Sequence, residues 1–219
     1  MKTKILLLAI ATALAGCASA LPEKDELALL NGNHKYQELD YKSDEQGLFW
    51  KSDDYKIDEY QNVIVDDVKI QLSQSIKDKV SPEVVARFEA EIKASLTEKS
   101  NKLFPHDTAS QKQAMVDVNI IKVEDLEEDI RVREFIPVGA AIGLAKLAAG
   151  TRDRSVRLIV DVDVNDKADG HLLARRVFAI NNNGVLENDH SKITSKVLDK
   201  DVEKITQQGA EFILHTLYM

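Results

Sequence analysis

The sequence predicts an α+β fold, a two-layer α/β sandwich whose mixed sheet of about four strands carries two helices on one face. Three observations predict it. From Ser155 to Asn165 the chain alternates with period two, placing Val156, Leu158, Val160, Val162 and Val164 on one face. An Asp169-Gly170 turn signal follows, and Leu172 to Ile180 form the returning arm of a hairpin. Two segments, opening at Ser81-Pro82 and at about Lys200, carry apolar stripes at helical spacing. Composition fits this domain: 44% hydrophobic and 30% charged residues in a chain of 219, with too few Gly (9) and Pro (4) for a low-complexity chain. A single cysteine excludes a disulfide framework and a Cys-based zinc site. A net charge of −8 argues against a nucleic-acid groove.

The chain starts with a short basic stretch, Met1-Lys2-Thr3-Lys4, and then ten uncharged residues from Ile5 to Leu14. Ten is well short of the roughly 20 that a bilayer-spanning helix needs. A basic start before a short apolar run is the pattern of a secretory signal, here residues 1–16. The next residues, Leu14-Ala15-Gly16-Cys17, resemble the lipobox of bacterial lipoproteins. That resemblance implies cleavage between Gly16 and Cys17, with diacylglycerol transferred to the Cys17 thiol. Ala18, where inner-membrane retention uses Asp, implies an outer-membrane anchor facing the periplasm of a Gram-negative cell. The only cysteine of the chain occupies the position the motif uses. Removing Lys2 and Lys4 with the signal takes the net charge from −8 to −10. The expected membrane contact is therefore the acyl chains on Cys17 rather than electrostatic adsorption.

Residues 17–47 show no sustained period and include Pro22 and Asn31-Gly32-Asn33, so they read as a mostly irregular tether. The domain is expected over 48–219. Phe49, Trp50 and Tyr55 cluster at its start and are read as docking on it. The first strand spans Asn62 to Leu72; Val63 and Val65 share one parity and Val68, Ile70 and Leu72 the other, which points to a bulge at Asp66-Asp67. Ser81 as N-cap and Pro82 at the first helical position open a helix to about Lys102, with Val85, Phe88, Ile92 and Leu96 inward. Met115 to Val123 form the second strand; if the first two strands are parallel neighbours, their crossover should be right-handed. In the valine-rich strand that follows, Arg157, Asp161, Asp163 and Asn165 are read as the solvent face. The final helix turns Val202, Ile205, Phe212 and Ile213 inward, and Gly209 is expected to allow close helix–sheet approach.

This pattern resembles a known family. Tyr60-Gln61-Asn62-Val63-Ile64-Val65-Asp66-Asp67-Val68, the Ser81-Pro82 helix start, Phe135-Ile136-Pro137-Val138-Gly139-Ala140-Ala141-Ile142-Gly143 and the Gly150-Thr151 approach to the next strand are similar to a proteobacterial lipoprotein family of the domain-of-unknown-function 3313 type. The resemblance covers Leu48 to Leu217 and rests on hydrophobic patterns. It implies the fold and the lipoprotein class, and it brings no catalytic residues.

The most unusual stretch is Ile136 to Ala149, small or apolar throughout except for Lys146. Gly139, Ala140, Ile142, Gly143 and Leu144 are the candidate docking surface, with a GxxxG spacing that permits close backbone approach. Packing on its own domain, docking of a partner or second copy, membrane contact and gating of an apolar ligand are all compatible with this composition. The acidic run Glu124 to Asp129 reads as a solvated face rather than a cation site. Asp161 to Asp166 lack the Gly and Glu of a calcium loop, having Asp166 and Leu172 in those places. His34, His106, His171, His190 and His215 have no metal-ligand spacing, and neither GxSxG nor a phosphate loop occurs. The expectation is a non-enzymatic, cofactor-free envelope protein that works through an envelope protein partner or self-association. The alternative is a carrier of a lipid or other apolar ligand.

Overall fold

A computed structural model describes residues 21–38, 46–53, 55, 59–103, 112–127, 154–186 and 191–218. In chain order these form α1 (Lys24–Leu27), β1 (Gln37–Glu38), β2 (Leu48–Lys51), β3 (Tyr60–Ile70), α2 (Gln74–Lys77), α3 (Pro82–Leu103), β4 (Lys112–Glu127), β5 (Arg154–Asp166), β6 (Leu172–Leu186) and α4 (Ser195–Tyr218). They build one open mixed sheet of six strands in the order β1-β2-β6-β5-β4-β3. The expected count of about four is thus corrected to six. The two additional strands, β1 and β2, are two and four residues long, too short to show a period.

Only β3 and β4 run parallel; every other neighbouring pair is antiparallel. The bulge read at Asp66-Asp67 is present as a register shift between Val65 and Asp67. Its effect is to keep Val63, Val65 and Val68 in one core despite their change of parity. A second shift between Ile120 and Lys122 does the same in β4, so that Val118, Ile120 and Val123 share the helix-side core. The β5–β6 hairpin turns at Gly170, whose φ of 73° suits a residue without a side chain.

Helix α3 starts as its sequence requires: Ser81 Oγ accepts the Val84 N–H at 3.4 Å, and Pro82 needs no partner for a missing N–H. Phe88, Ile92 and Leu96 are buried against the sheet together with Ile205, Phe212 and Ile213 of α4. Gly209 faces Leu96 of α3, where an added Cβ would sit 3.3 Å from Cδ1. The close approach it permits is therefore helix to helix, not the expected helix to sheet.

The opposite face of the sheet is covered as well. Ile121, Ile159, Val177 and Ala179 form a second, smaller core beneath Leu27, Leu30 and Tyr36. Residues 21–38, expected in an irregular tether, thus lie as a strap on the sheet. Phe49 reaches the other face and packs edge-on to Phe212, 6.0 Å between ring centroids. Tyr55 stacks on Tyr60 at 5.7 Å and donates to the Thr216 carbonyl at 2.8 Å, so the aromatic cluster docks as its composition suggested.

Candidate functional site

Period two sends successive side chains of a strand to opposite faces, so β5 and β6 each present one set to the helices and another to the strap. On the strap side two arginines dominate. Arg157 of β5 donates Nε to Glu26 Oε1 at 3.0 Å and Nη2 to Glu26 Oε2 at 2.9 Å. It also donates Nη2 to the Leu21 carbonyl at 3.2 Å and Nη1 to Asn181 Oδ1 at 2.9 Å. Arg175 of β6 makes the same fork to Asp163 at 2.6 and 2.7 Å, and donates Nη1 to the Asn31 carbonyl at 2.7 Å. Asp161 Oδ1 lies 3.1 Å from Arg175 Nε. Each arginine therefore grips a carboxylate and one backbone carbonyl of the strap, a geometry that its planar fork provides and a lysine does not.

Burial decides how these groups behave. Burial raises the Glu26 carboxyl, but the Arg157 hydrogen bond, the Glu23 N–H (2.8 Å to Oε2) and the Arg157 and Lys122 charges outweigh it, leaving its pKa below the ordinary value. Burial and the neighbouring Asp163 charge push Asp161 upward, against the opposing charge of Arg175. Around the strap, His34 packs on Trp50 with ring centroids 3.9 Å apart, and Gly32 both adopts φ 90° and leaves no room for a Cβ, which would meet His34 Nε2 at 2.6 Å.

This arrangement corrects the reading of Arg157, Asp161, Asp163 and Asn165 as a solvent face. Arg157 and Asp161 are buried, and Asn165 donates to Asp117 Oδ2 at 2.9 Å. The signal was present in Ile159, an aliphatic residue on that otherwise polar face, fully buried here. The acidic run is likewise only partly solvated, for Asp125 is buried against Lys79 and Glu124 pairs with Lys122 at 3.0 Å. Sequence reasoning also missed Arg176. Next to Arg175 it must face the helices, and there it is fully buried, donating Nη2 to Gln208 Oε1 at 3.0 Å. Gly47 lies against it, where a Cβ would be 2.8 Å from the guanidinium carbon.

Cys17, Gly16 and the candidate docking residues Gly139, Ala140, Ile142, Gly143 and Leu144 lie outside the described residues, as do His106 and His190. The chain leaves β4 at Glu127 and re-enters β5 at Arg154, and these two residues are register partners at one end of the sheet. Near that end, Ile70, Ile76, Phe88, Val123, Val156 and Leu198 are among the residues lining an apolar cleft of about 20 Å³, room for one water-sized sphere. A carrier needs several hundred cubic ångströms. Among the described residues no group of three metal-ligating side chains comes together, and no helix is long and apolar enough to cross a membrane.

A family model described as protein of unknown function (DUF3313) matches residues 30–192. No curated protein matches the chain. Among solved structures, a PelC dodecamer from Paraburkholderia phytofirmans is similar at a TM-score of 0.32 and 8% identity over 68% of this chain and 93% of that one. A putative neuraminyllactose-binding hemagglutinin homolog from Helicobacter pylori is similar at a TM-score of 0.34 and 9% identity, covering 71% of this chain and 81% of that one. Likeness at this level carries no functional weight.

Proposed function

This chain belongs to the DUF3313 family, and within it we propose a lipid-anchored cell-envelope protein, facing the periplasm from the outer membrane and acting non-enzymatically through protein contacts. One observation carries the reading: the only cysteine of the chain stands at Cys17, directly after Leu14-Ala15-Gly16 and a short apolar signal. Two acyl chains on that residue would hold the protein on a bilayer where one chain binds only marginally. The charge pattern supports a non-catalytic role. Arg157, Arg175, Glu26, Asp161 and Asp163 serve to fasten the strap, and none of them lines the apolar cleft described above.

The contact surface we assign to Gly139, Ala140, Ile142, Gly143 and Leu144, in the apolar stretch between Glu127 and Arg154. In cells, Cys17→Ser should end palmitate incorporation and release the protein from the membrane fraction; unchanged fractionation contradicts the anchor. Ile142→Asp with Leu144→Asp should remove proteins crosslinked from this stretch while the domain stays folded. Unfolding instead would make these residues core and withdraw the contact surface.

A further inference from the structure

Residues 17–47, read as a mostly irregular tether, would let the domain range up to roughly 100 Å from its lipid at full extension. The fold removes that freedom. The Leu21 carbonyl is held by Arg157 Nη2 at 3.2 Å, and Glu26 of the same segment is locked to the same guanidinium. Only four peptide units separate Cys17 from Leu21, a reach of at most about 14 Å. From there the strap runs away from the anchor, since Asn31 is held by Arg175, whose register partner Asp163 lies six residues further along β5 than Arg157.

We propose that the end of the sheet bearing Leu21, Arg157 and Asn181 lies directly against the lipid surface, with the β5–β6 turn at Gly170 pointing away from it. The inference rests on the lipid-anchor reading and specifies its geometry: a domain seated on the bilayer in one orientation. Arg154 and Glu127, the described residues that flank the apolar 136–149 stretch in sequence, lie at this same end. With −10 on the mature chain, the orientation comes from the short covalent link and the ion-paired strap, not from attraction to anionic headgroups.

The test uses the full lipidated protein in vesicles of phosphatidylethanolamine and phosphatidylglycerol that contain a headgroup-nitroxide lipid. Since Cys17 is acylated and is the only native cysteine, a fluorophore can be placed uniquely at Leu126→Cys or at Asp169→Cys. Leu126 pairs with Ser155, so the two labels lie about 35 Å apart along β5. Quenching is expected at 126 and not at 169. Inserting about ten Gly/Ser residues between Ala20 and Leu21 leaves the strap untouched and should abolish the quenching at 126. Glu26→Ala, which frees the strap, should do the same in protein that remains folded by circular dichroism. Equal quenching at both sites, or quenching at 126 that survives the insertion, overturns the orientation while leaving the anchor intact. Protein that does not stay with the vesicles overturns the anchor and the orientation together.

Discussion

Glu26 and Arg157, 131 residues apart in sequence, meet as a two-point ion pair with both side chains almost wholly buried (3% and 5% exposed). The pair ties the segment that begins at Leu21 to β5, near the end of that strand where it starts at Arg154. Both charges stay satisfied only while residues 21–38 lie in place, which makes the strap a conditional part of the fold.

Truncating one partner of such a pair leaves the other charge buried, at a cost of about 3–5 kcal/mol where no relaxation follows. Here the strap can lift and rehydrate Arg157, so Glu26→Ala should cost about 2–3 kcal/mol in urea unfolding and expose residues 21–38 to protease. Unchanged stability and an unchanged digestion pattern would contradict the strap.

The pH dependence follows in sign. Glu26 has a lowered native pKa, so its contribution is complete above the ordinary value of 4.5 and is lost as pH falls through the native value. Protection of residues 21–38 from an acid-active protease should therefore be constant from neutral pH down to about 4.5 and disappear below it. Glu26→Gln should flatten the profile.

Asp201 of α4 behaves in the opposite way. Burial pushes its carboxyl up to about 6, against the Asn182 hydrogen bond (Nδ2 to Oδ2, 2.5 Å) and the Lys204 charge, and the residue is fully enclosed. Its raised pKa means that stability is highest below the unfolded value and falls as pH rises through about 6. Asp201→Asn should remove that fall, with a gain on the order of 2 kcal/mol in mildly alkaline buffer and little in acid. Thermal melts across pH read this directly.

Gly47→Ala should destabilise by about 1–3 kcal/mol through overpacking. Its Cβ would meet a guanidinium that is fully buried and tied to Gln208, so making room means displacing a buried, hydrogen-bonded charge. A melting temperature equal to that of the parent protein would show that Arg176 can yield.

Sequence patterns locate the elements whose packing is one-sided and long. The valine alternation of β5, the Ser81-Pro82 start of α3 and the parity change at Asp66-Asp67 are direct consequences of period and capping, and all three appear in the structure. Strands β4 and β6 run beyond their expected spans of Met115–Val123 and Leu172–Ile180, because polar ends such as Glu124 and Asn181 pair in the ladder without apolar markers. Helix α4 begins at Ser195, earlier than about Lys200. The strap was not legible because its hold is long-range: neither Glu26 nor Arg157 has a local pattern that names the other. What could be read was Ile159, and the adjacent Arg175 and Arg176, which period two must divide between two buried faces.

The central claim is the anchor, and mass measurement of the mature protein extracted from membranes tests it most directly. The expected result is a polypeptide beginning at Cys17 and carrying diacylglyceryl, with or without a further N-acyl chain, all of which is lost in Cys17→Ser. A mature chain that begins elsewhere, or that begins at an unmodified Cys17, would contradict it.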